Sequence, residues 1–285
     1  MSYSAKAIQA GFRIGQIRIH HPAFKDALTG VGRIIQLGNT LEHPTGACII
    51  APSGAGKTFL IDSVRRNVCN WPFLRPQSVL VASLKESPTV AQIQEDLLTD
   101  FNYAIVPKTG RKTNAVLFNV LAASIEQHDI QLIVLDEYQH VFLAHKDEVR
   151  SAINDWTKRL MTKTGRPVLL SGTERLRGVE QADPQLTTRI TSIFSLPDLQ
   201  NDENWRGVLA GFVDATKDVD LSVFKTHAGL IFKATQGVMR TLKALLMEGA
   251  MIAIDANEPK VEKEHLRLAF QRLVGTGSSR DNPFV

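Results

Sequence analysis

A short glycine-rich segment, APSGAGKT at residues 51–58, leaves few folds open to this chain. It fits the phosphate-binding pattern G-x-x-x-x-G-K-[ST], except that Ala51 stands where the pattern has its first glycine. An apolar run over residues 46–52 predicts a buried strand before the loop, and residues 59–68 predict a helix after it. Because Ala51 falls at the end of the strand, its departure leaves the phosphate-binding part of the pattern intact.

Each residue type in this loop has a physical role in holding a nucleoside triphosphate. Gly54 and Gly56 allow backbone N–H groups to curl around phosphates, and Lys57 can reach the β- and γ-phosphates. Thr58 can offer its hydroxyl to Mg²⁺, and the helix from Phe59 points its positive end at the anion. We therefore expect ATP with Mg²⁺ to bind at Ser53, Gly54, Ala55, Gly56, Lys57, Thr58 and Phe59.

A second motif, LIVLDE at residues 132–137, places two acids after an apolar run. The run predicts a strand inside a sheet, with Asp136 emerging at its carboxyl end, where open α/β sheets bind ligands. Asp136 would hold Mg²⁺ through water, while Glu137 would orient and deprotonate the attacking water. A solvated acidic turn would look the same in isolation, but together with the upstream loop the pair predicts ATP hydrolysis.

A third candidate site lies in LLSGT at residues 169–173, where the predicted strand 167–171 ends. A polar residue at this point can contact the γ-phosphate or the attacking water, as a sensor of the nucleotide. Thr173 is our candidate for that role and Ser171 is the alternative. A polar loop start with no such role has the same appearance.

Two arginines are candidates for contacts with the γ-phosphate. Arg189 stands just before the last predicted strand, where it could reach the nucleotide of a neighbouring subunit and stabilise transition-state charge. Arg175 and Arg177 are weaker candidates for the same role. Arg240, at the start of a later helix, could reach the γ-phosphate of its own subunit. An ordinary surface arginine is the alternative in each case.

The order of predicted elements gives the fold class. Buried strands separated by helices indicate an α/β fold with a five-stranded parallel sheet flanked by helices, followed by a small helical lid. The predicted strands are residues 46–52, 78–84, 130–135, 167–171 and 190–196. The expected domains are an N-terminal segment (1–27), a nucleotide-binding core (28–197), a lid (198–274) and a flexible tail (275–285).

Composition excludes several classes of protein. The 285 residues carry 33 Lys and Arg against 29 Asp and Glu, a net charge of +4 that permits contact with a polyanion without requiring it. Two cysteines are too few for a disulfide framework, and the histidines form no metal cluster, so Mg²⁺ is the only metal expected. No apolar run is long enough to cross a membrane, so we expect a cytoplasmic protein with no membrane partner.

A basic segment, VPKTGRKT at residues 106–113, is the candidate for DNA contact. Lys108, Arg111 and Lys112 have no acid among them, and Thr113 adds a hydroxyl. Such residues suit contact with phosphates without reading of bases. A solvated loop is the alternative.

The order of these motifs resembles that of AAA+ ATPases and, more narrowly, the TniB/TnsC group of transposition regulators, relatives of the IstB helper and of origin-recognition ATPases. The phosphate loop and the LIVLDE motif are common to many ATPases and do not distinguish this group. The SGTERL turn and the short lid are the features that narrow the resemblance to it. The segments that carry it are APSGAGKT (51–58), LIVLDEYQH (132–140), LLSGTERL (169–176), QLTTRI (185–190) and TQGVMRTLKALLMEGAMIAI (235–254).

The resemblance implies a homo-oligomer that assembles on duplex DNA with ATP, as a ring or helical filament. It also implies recruitment of a DDE-type transposase, reception of a TniQ-type targeting factor, and disassembly on ATP hydrolysis. By this likeness the site roles fall to Lys57, Thr58, Asp136, Glu137, Thr173, Arg189 and Arg240. A helicase loader or IstB-like ATPase, and a signalling P-loop NTPase that binds no DNA, remain alternatives.

Overall fold

The computed structural model describes residues 2–38, 40–41, 45–101, 114–143, 147–178, 183–275 and 277–285. The chain divides into two compact units. The α/β unit is Ala23–Leu196, and the helical unit joins the residues up to Pro22 with Pro197–Val285. The candidate loop and both acids lie in the α/β unit.

Five parallel strands form one sheet in the α/β unit, which confirms the predicted fold class. Their order across the sheet is β2-β3-β4-β1-β5. The strands are β1 (Gly46–Ile50), β2 (Val79–Ser83), β3 (Leu132–Asp136), β4 (Val168–Gly172) and β5 (Ile190–Ser195). Every residue of β1, β3 and β4 is buried, as expected for central strands covered on both faces.

Helices cover both faces of this sheet and make up most of the helical unit. In chain order they are α1 (Ala5–Gln16), α2 (Pro22–Gly38), α3 (Lys57–Arg65), α4 (Val90–Asp100), α5 (Asn114–Gln127), α6 (Gln139–Leu143), α7 (Asp147–Thr164), α8 (Pro184–Thr187), α9 (Glu203–Ala215), α10 (Val223–Thr226), α11 (Ala228–Thr235), α12 (Met239–Asp255) and α13 (Lys263–Val274).

Alternation along each strand separates two apolar cores. In β1, Cys48 and Ile50 face the core that contains residues of α4, α5 and α7, while Ala47 and Ile49 face the core that contains residues of α2 and α3. Parallel pairing puts the carboxyl ends of all strands at one edge of the sheet. In register, Ile50 of β1 lies beside Gly172 of β4.

The N-terminal residues differ from the separate segment that we expected over residues 1–27. Helix α1 packs on α12, and its small residues permit a close approach, since a Cβ on Gly11 would lie 2.8 Å from the sulfur of Met251. Residues up to Pro22 therefore belong to the helical unit, and the rest of α2 belongs to the α/β unit.

The tail also differs from the flexible segment predicted over residues 275–285. Phe284 is only 2% exposed and belongs to the core of the helical unit. Its ring meets that of Phe270 edge-on, with 6.2 Å between ring centres. Burial of one aromatic side chain holds the end of the chain against α13.

Candidate nucleotide site

The loop after β1 turns directly into α3 through two glycines in left-handed conformations. Gly54 has a φ of 91° and Gly56 has a φ of 108°. Residues with a Cβ rarely adopt these values. A Cβ on Gly56 would meet no described atom within 4 Å, so the backbone angle and not crowding requires glycine there. Helix α3 begins at Lys57, two residues earlier than predicted, and its first N–H groups are donors for an anion.

Lys57 brings the loop and the two acids together. Its side chain is 9% exposed, and its Nζ lies 2.5 Å from Glu137 Oε1 and 3.3 Å from Asp136 Oδ1. Because β4 lies between β1 and β3, the Lys57 side chain reaches across the carboxyl end of β4 and connects the loop after β1 with the acids at the end of β3. A single ammonium group thus balances two carboxylates, and the cluster has a net negative charge that a divalent cation can neutralise.

Asp136 is the last residue of β3, and hydrogen bonds fix its carboxylate. The backbone N–H of Glu137 donates to Asp136 Oδ1 at 2.9 Å, and the hydroxyl of Ser171 donates to the same oxygen. Ser171 is fully buried on β4. The structure thus gives Ser171 a contact with the predicted Mg²⁺ ligand.

Glu137 occupies an unusual backbone conformation for a residue with a side chain, with a φ of 57°. Its side chain is 34% exposed, and it accepts from Lys57 through Oε1 and from Gln139 through Oε2. Burial acts to raise the pKa of the Glu137 carboxyl, but hydrogen bonds from Lys57 and Gln139 outweigh it and lower that pKa below its ordinary value. Glu137 is therefore ionised at neutral pH, as a residue that orients water requires.

Thr173 follows β4 and is connected to Glu137 by a residue that the sequence did not single out. The backbone N–H of Thr173 donates to Gln139 Oε1 at 3.1 Å, and Gln139 Nε2 donates to Glu137 Oε2. Gly172 makes room for this amide, because a Cβ there would lie 2.4 Å from Gln139 Oε1. The only sequence signal was the position of Gln139 two residues after Glu137, which is equally typical of an exposed helix start.

Tyr138 anchors the turn that carries Glu137 and Gln139. It is completely buried, and its hydroxyl donates to Asn154 Oδ1 at 2.9 Å and lies 3.2 Å from Thr157 Oγ1, both on α7. Its backbone N–H donates to the carbonyl of Ser171 at 2.9 Å. The turn that carries Glu137 and Gln139 is therefore fixed to β4 and to α7.

Arg189 lies at the amino ends of the strands, whereas the phosphate loop lies at their carboxyl ends. It immediately precedes β5, and its carbonyl accepts from the N–H of Gly46 at the start of β1. Its guanidinium donates to the carbonyl of Lys158 at 3.0 Å and to Thr162 Oγ1 at 2.6 Å, both on α7. Within its own subunit, Arg189 is therefore not brought to the phosphate loop, which follows the other end of β1.

The remaining arginine candidates are exposed. Arg175 is exposed, and Arg177 pairs with Glu174 at 2.5 Å. Arg240 is exposed at the start of α12, in the helical unit. Four predicted DNA contacts lie outside the described residues: Lys108, Arg111, Lys112 and Thr113.

The residues present fit a phosphate-bound Mg²⁺ better than a metal held by protein alone. Among the described residues, no group of three or more His, Cys, Asp or Glu side chains could hold a metal ion. Thr58 lies exposed in the first turn of α3, and Asp136 presents one carboxylate. Mg²⁺ is typically bound by one or two such ligands together with substrate phosphates and water.

A family model covers the segment that contains these residues. Residues 41–179 match the family model described as AAA domain, a span that contains the loop, both acids and Thr173. No protein with a curated description matches the sequence.

Solved structures similar to this chain share its fold at low sequence identity. The ORC2 protein of Aeropyrum pernix, in ADPNP-ADP complexes, has a TM-score of 0.66 and 16% identity over 93% of this chain and 70% of its own. The ORC1 protein of the same organism, in complex with DNA, has a TM-score of 0.61 and 18% identity over 88% and 65%. RuvB, the Holliday junction branch migration motor of Thermotoga maritima, has a TM-score of 0.56 and 14% identity over 92% and 70%.

The fold is therefore that of an AAA+ P-loop NTPase. None of the helices in the described part of the chain has the length and apolar character needed to span a membrane.

Proposed function

We propose that this protein is a Mg²⁺-dependent ATPase. The observation that carries the proposal is the contact of Lys57 with both Asp136 and Glu137, at 3.3 and 2.5 Å, beside a loop that ends in a helix N-terminus. Backbone N–H groups of the loop and Lys57 hold the phosphates, and Mg²⁺ at Thr58 and Asp136 would neutralise their charge. Glu137 orients a water and takes its proton as the water oxygen bonds to the γ-phosphorus and the bond to ADP breaks.

The first test is the substitution Lys57→Ala, with Lys163→Ala as a control on the exposed surface of α7. Loss of the ammonium group should abolish ATP binding measured by calorimetry, while Lys163→Ala should bind like the wild type. Micromolar affinity retained by Lys57→Ala would contradict the assignment of the loop.

We further propose that ATP binding orders a homo-oligomer of this protein on duplex DNA and that hydrolysis resets it. The similarity to a DNA-bound ORC1 structure and the basic residues 106–113 support this part. The resemblance of its SGTERL turn and short lid to TniB/TnsC proteins supports a role as a cytoplasmic transposition regulator that recruits a DDE-type transposase and a TniQ-type targeting factor. Contacts with DNA phosphates make the binding salt-dependent and indifferent to sequence.

A second candidate is a helicase loader or replication initiator, and the similarity to ORC2 and ORC1 favours it. Negative-stain microscopy with a slowly hydrolysed ATP analogue, with and without duplex DNA, separates the two. Rings or filaments that need both ligands would support the regulator, and a stable complex with a hexameric helicase would support the loader. A protein that stays monomeric with both ligands in excess would contradict the proposal of a DNA-bound oligomer.

A further inference from the structure

Gln139 is the only described residue whose side chain is hydrogen-bonded to both Glu137 and the Thr173 turn. It begins α6 and is buried, with 5% of its surface exposed. Its two amide atoms have different partners: Nε2 donates to the carboxylate of Glu137, and Oε1 accepts the backbone N–H of Thr173 at 3.1 Å. The turn after β4 is thus linked to the carboxylate after β3 by one side chain.

The chemistry of the partners fixes the orientation of this amide. A backbone N–H can only donate and an ionised carboxylate can only accept, so a flipped amide would face two unfavourable contacts. Gly172 adds a steric constraint, since the space that its Cβ would fill is taken by Gln139 Oε1. The amide therefore has one arrangement that satisfies both neighbours.

We propose that Gln139 is a positioning residue for ATP hydrolysis. It holds the Glu137 carboxylate in place and couples the position of that carboxylate to the position of the Thr173 turn. This inference rests on the proposed ATPase function. Glu137 has two described side-chain donors, Lys57 and Gln139. When Lys57 binds phosphates, Gln139 is the one of these two that stays with Glu137.

The substitution Gln139→Met tests this role, because methionine has nearly the same length and cannot form either hydrogen bond. We expect kcat for ATP hydrolysis to fall roughly 10- to 100-fold, as for other losses of precise positioning. The dissociation constant of ATP should stay within about twofold of the wild type, since the described hydrogen bonds of the Gln139 side chain go to Glu137 and to the backbone of Thr173 and not to the phosphate loop or Lys57. A purely structural residue would not separate kcat from affinity in this way.

Gln131 offers a matched control at the amino end of β3, the opposite end of that strand from Asp136. It is also buried, its Oε1 accepts the N–H of Arg75 at 2.7 Å, and its Nε2 donates to the carbonyl of Phe73 at 2.8 Å. Gln131→Met removes the same kind of two-sided amide link far from the acids. It should lower the melting temperature and leave kcat unchanged.

A second variant, Gly172→Ala, displaces the Gln139 amide without removing it. Its kcat should fall in the same direction, and the double variant Gly172→Ala with Gln139→Met should lose no more than Gln139→Met alone, because both act through one contact. Additive losses, or an unchanged or increased kcat for Gln139→Met, would overturn the inference.

Wild type and Glu137→Gln, measured in the same assay with duplex DNA present, separate this inference from the proposed function. If Glu137→Gln is inactive and Gln139→Met is normal, only the positioning role fails. If the wild type hydrolyses no ATP, or Glu137→Gln hydrolyses it normally, the proposed mechanism fails and this inference fails with it.

Discussion

The carboxylate of Glu137 is shared between donors from two elements, Lys57 at the start of α3 and Gln139 at the start of α6. Its left-handed backbone conformation is one that residues with a side chain adopt at a cost of about 1 kcal/mol or more. Tyr138, buried against α7, holds the turn in this conformation. At the scale of single residues, the site is therefore preorganised around one acid.

Glu137→Gln should bind ATP with near wild-type affinity and hydrolyse it at least about 100-fold more slowly, because an amide cannot take the proton of water. Oligomers formed with ATP and DNA should then persist after the wild-type oligomers have dispersed. Single-turnover hydrolysis and light scattering measure the two effects. Glu174→Gln, an exposed acid paired with Arg177, is the control, and normal turnover by Glu137→Gln would remove Glu137 from the role of base.

At the scale of elements, Asp183 connects α7 to α8. It caps α8 by accepting the N–H of Leu186 at 2.9 Å, and it pairs with Lys158 of α7 at 3.2 Å. Burial acts to raise the pKa of the Asp183 carboxyl, but the backbone hydrogen bonds and Lys158 outweigh it and lower that pKa. The two side chains are only 13% and 12% exposed, so solvent screens the pair weakly.

Asp183→Asn isolates this charge, because asparagine caps a helix about as well as aspartate. We expect a loss of about 1–3 kcal/mol in the free energy of unfolding at pH 7, typical of a hydrogen bond between charged groups. A carboxyl whose pKa is lowered by folding stabilises above its unfolded pKa of about 3.9 and loses that effect as the pH falls. The difference between the two melting temperatures should therefore shrink below about pH 4, and a difference independent of pH would contradict the assignment.

A role for Arg189 on nucleotide requires more than one subunit of this protein. The phosphate loop follows the carboxyl end of β1, whereas Arg189 precedes β5 at the amino edge. Its contacts with Lys158 and Thr162 on α7 hold it at that edge. Only the nucleotide of a neighbouring copy is then left for its guanidinium.

Arg189→Ala should retain ATP binding and lose most hydrolysis. Mixing it with the inactive Lys57→Ala protein should restore part of the activity, because a Lys57→Ala subunit supplies an intact arginine to a neighbour with an intact loop. The readout is ATPase rate against mixing ratio. Thr162→Val, which removes one contact of Arg189 within its own subunit but keeps the arginine, should stay active. A strictly additive mixing curve would count against action between subunits.

Elements with strong local signals are predictable from the amino-acid sequence. The phosphate loop, the two acids at the end of β3 and the five apolar strands depend on glycine conformations and on runs of buried residues, which are local properties. Because parallel strands end on one side of the sheet, these patterns also predict that the phosphate loop and Asp136 lie on that side. The direct contacts of Lys57 with Asp136 and Glu137 come from the structure.

Tertiary structure alone decided the rest, because those features depend on partners distant in the chain. Gln139 acquires its role only because β4 lies beside β3 and Gly172 leaves space for its amide. Helix α1 and Phe284 look unremarkable in sequence, yet each is buried against helices of the helical unit. Local patterns fix which backbone conformation a segment prefers, whereas burial and side-chain pairing are fixed by which surfaces the complete fold brings into contact.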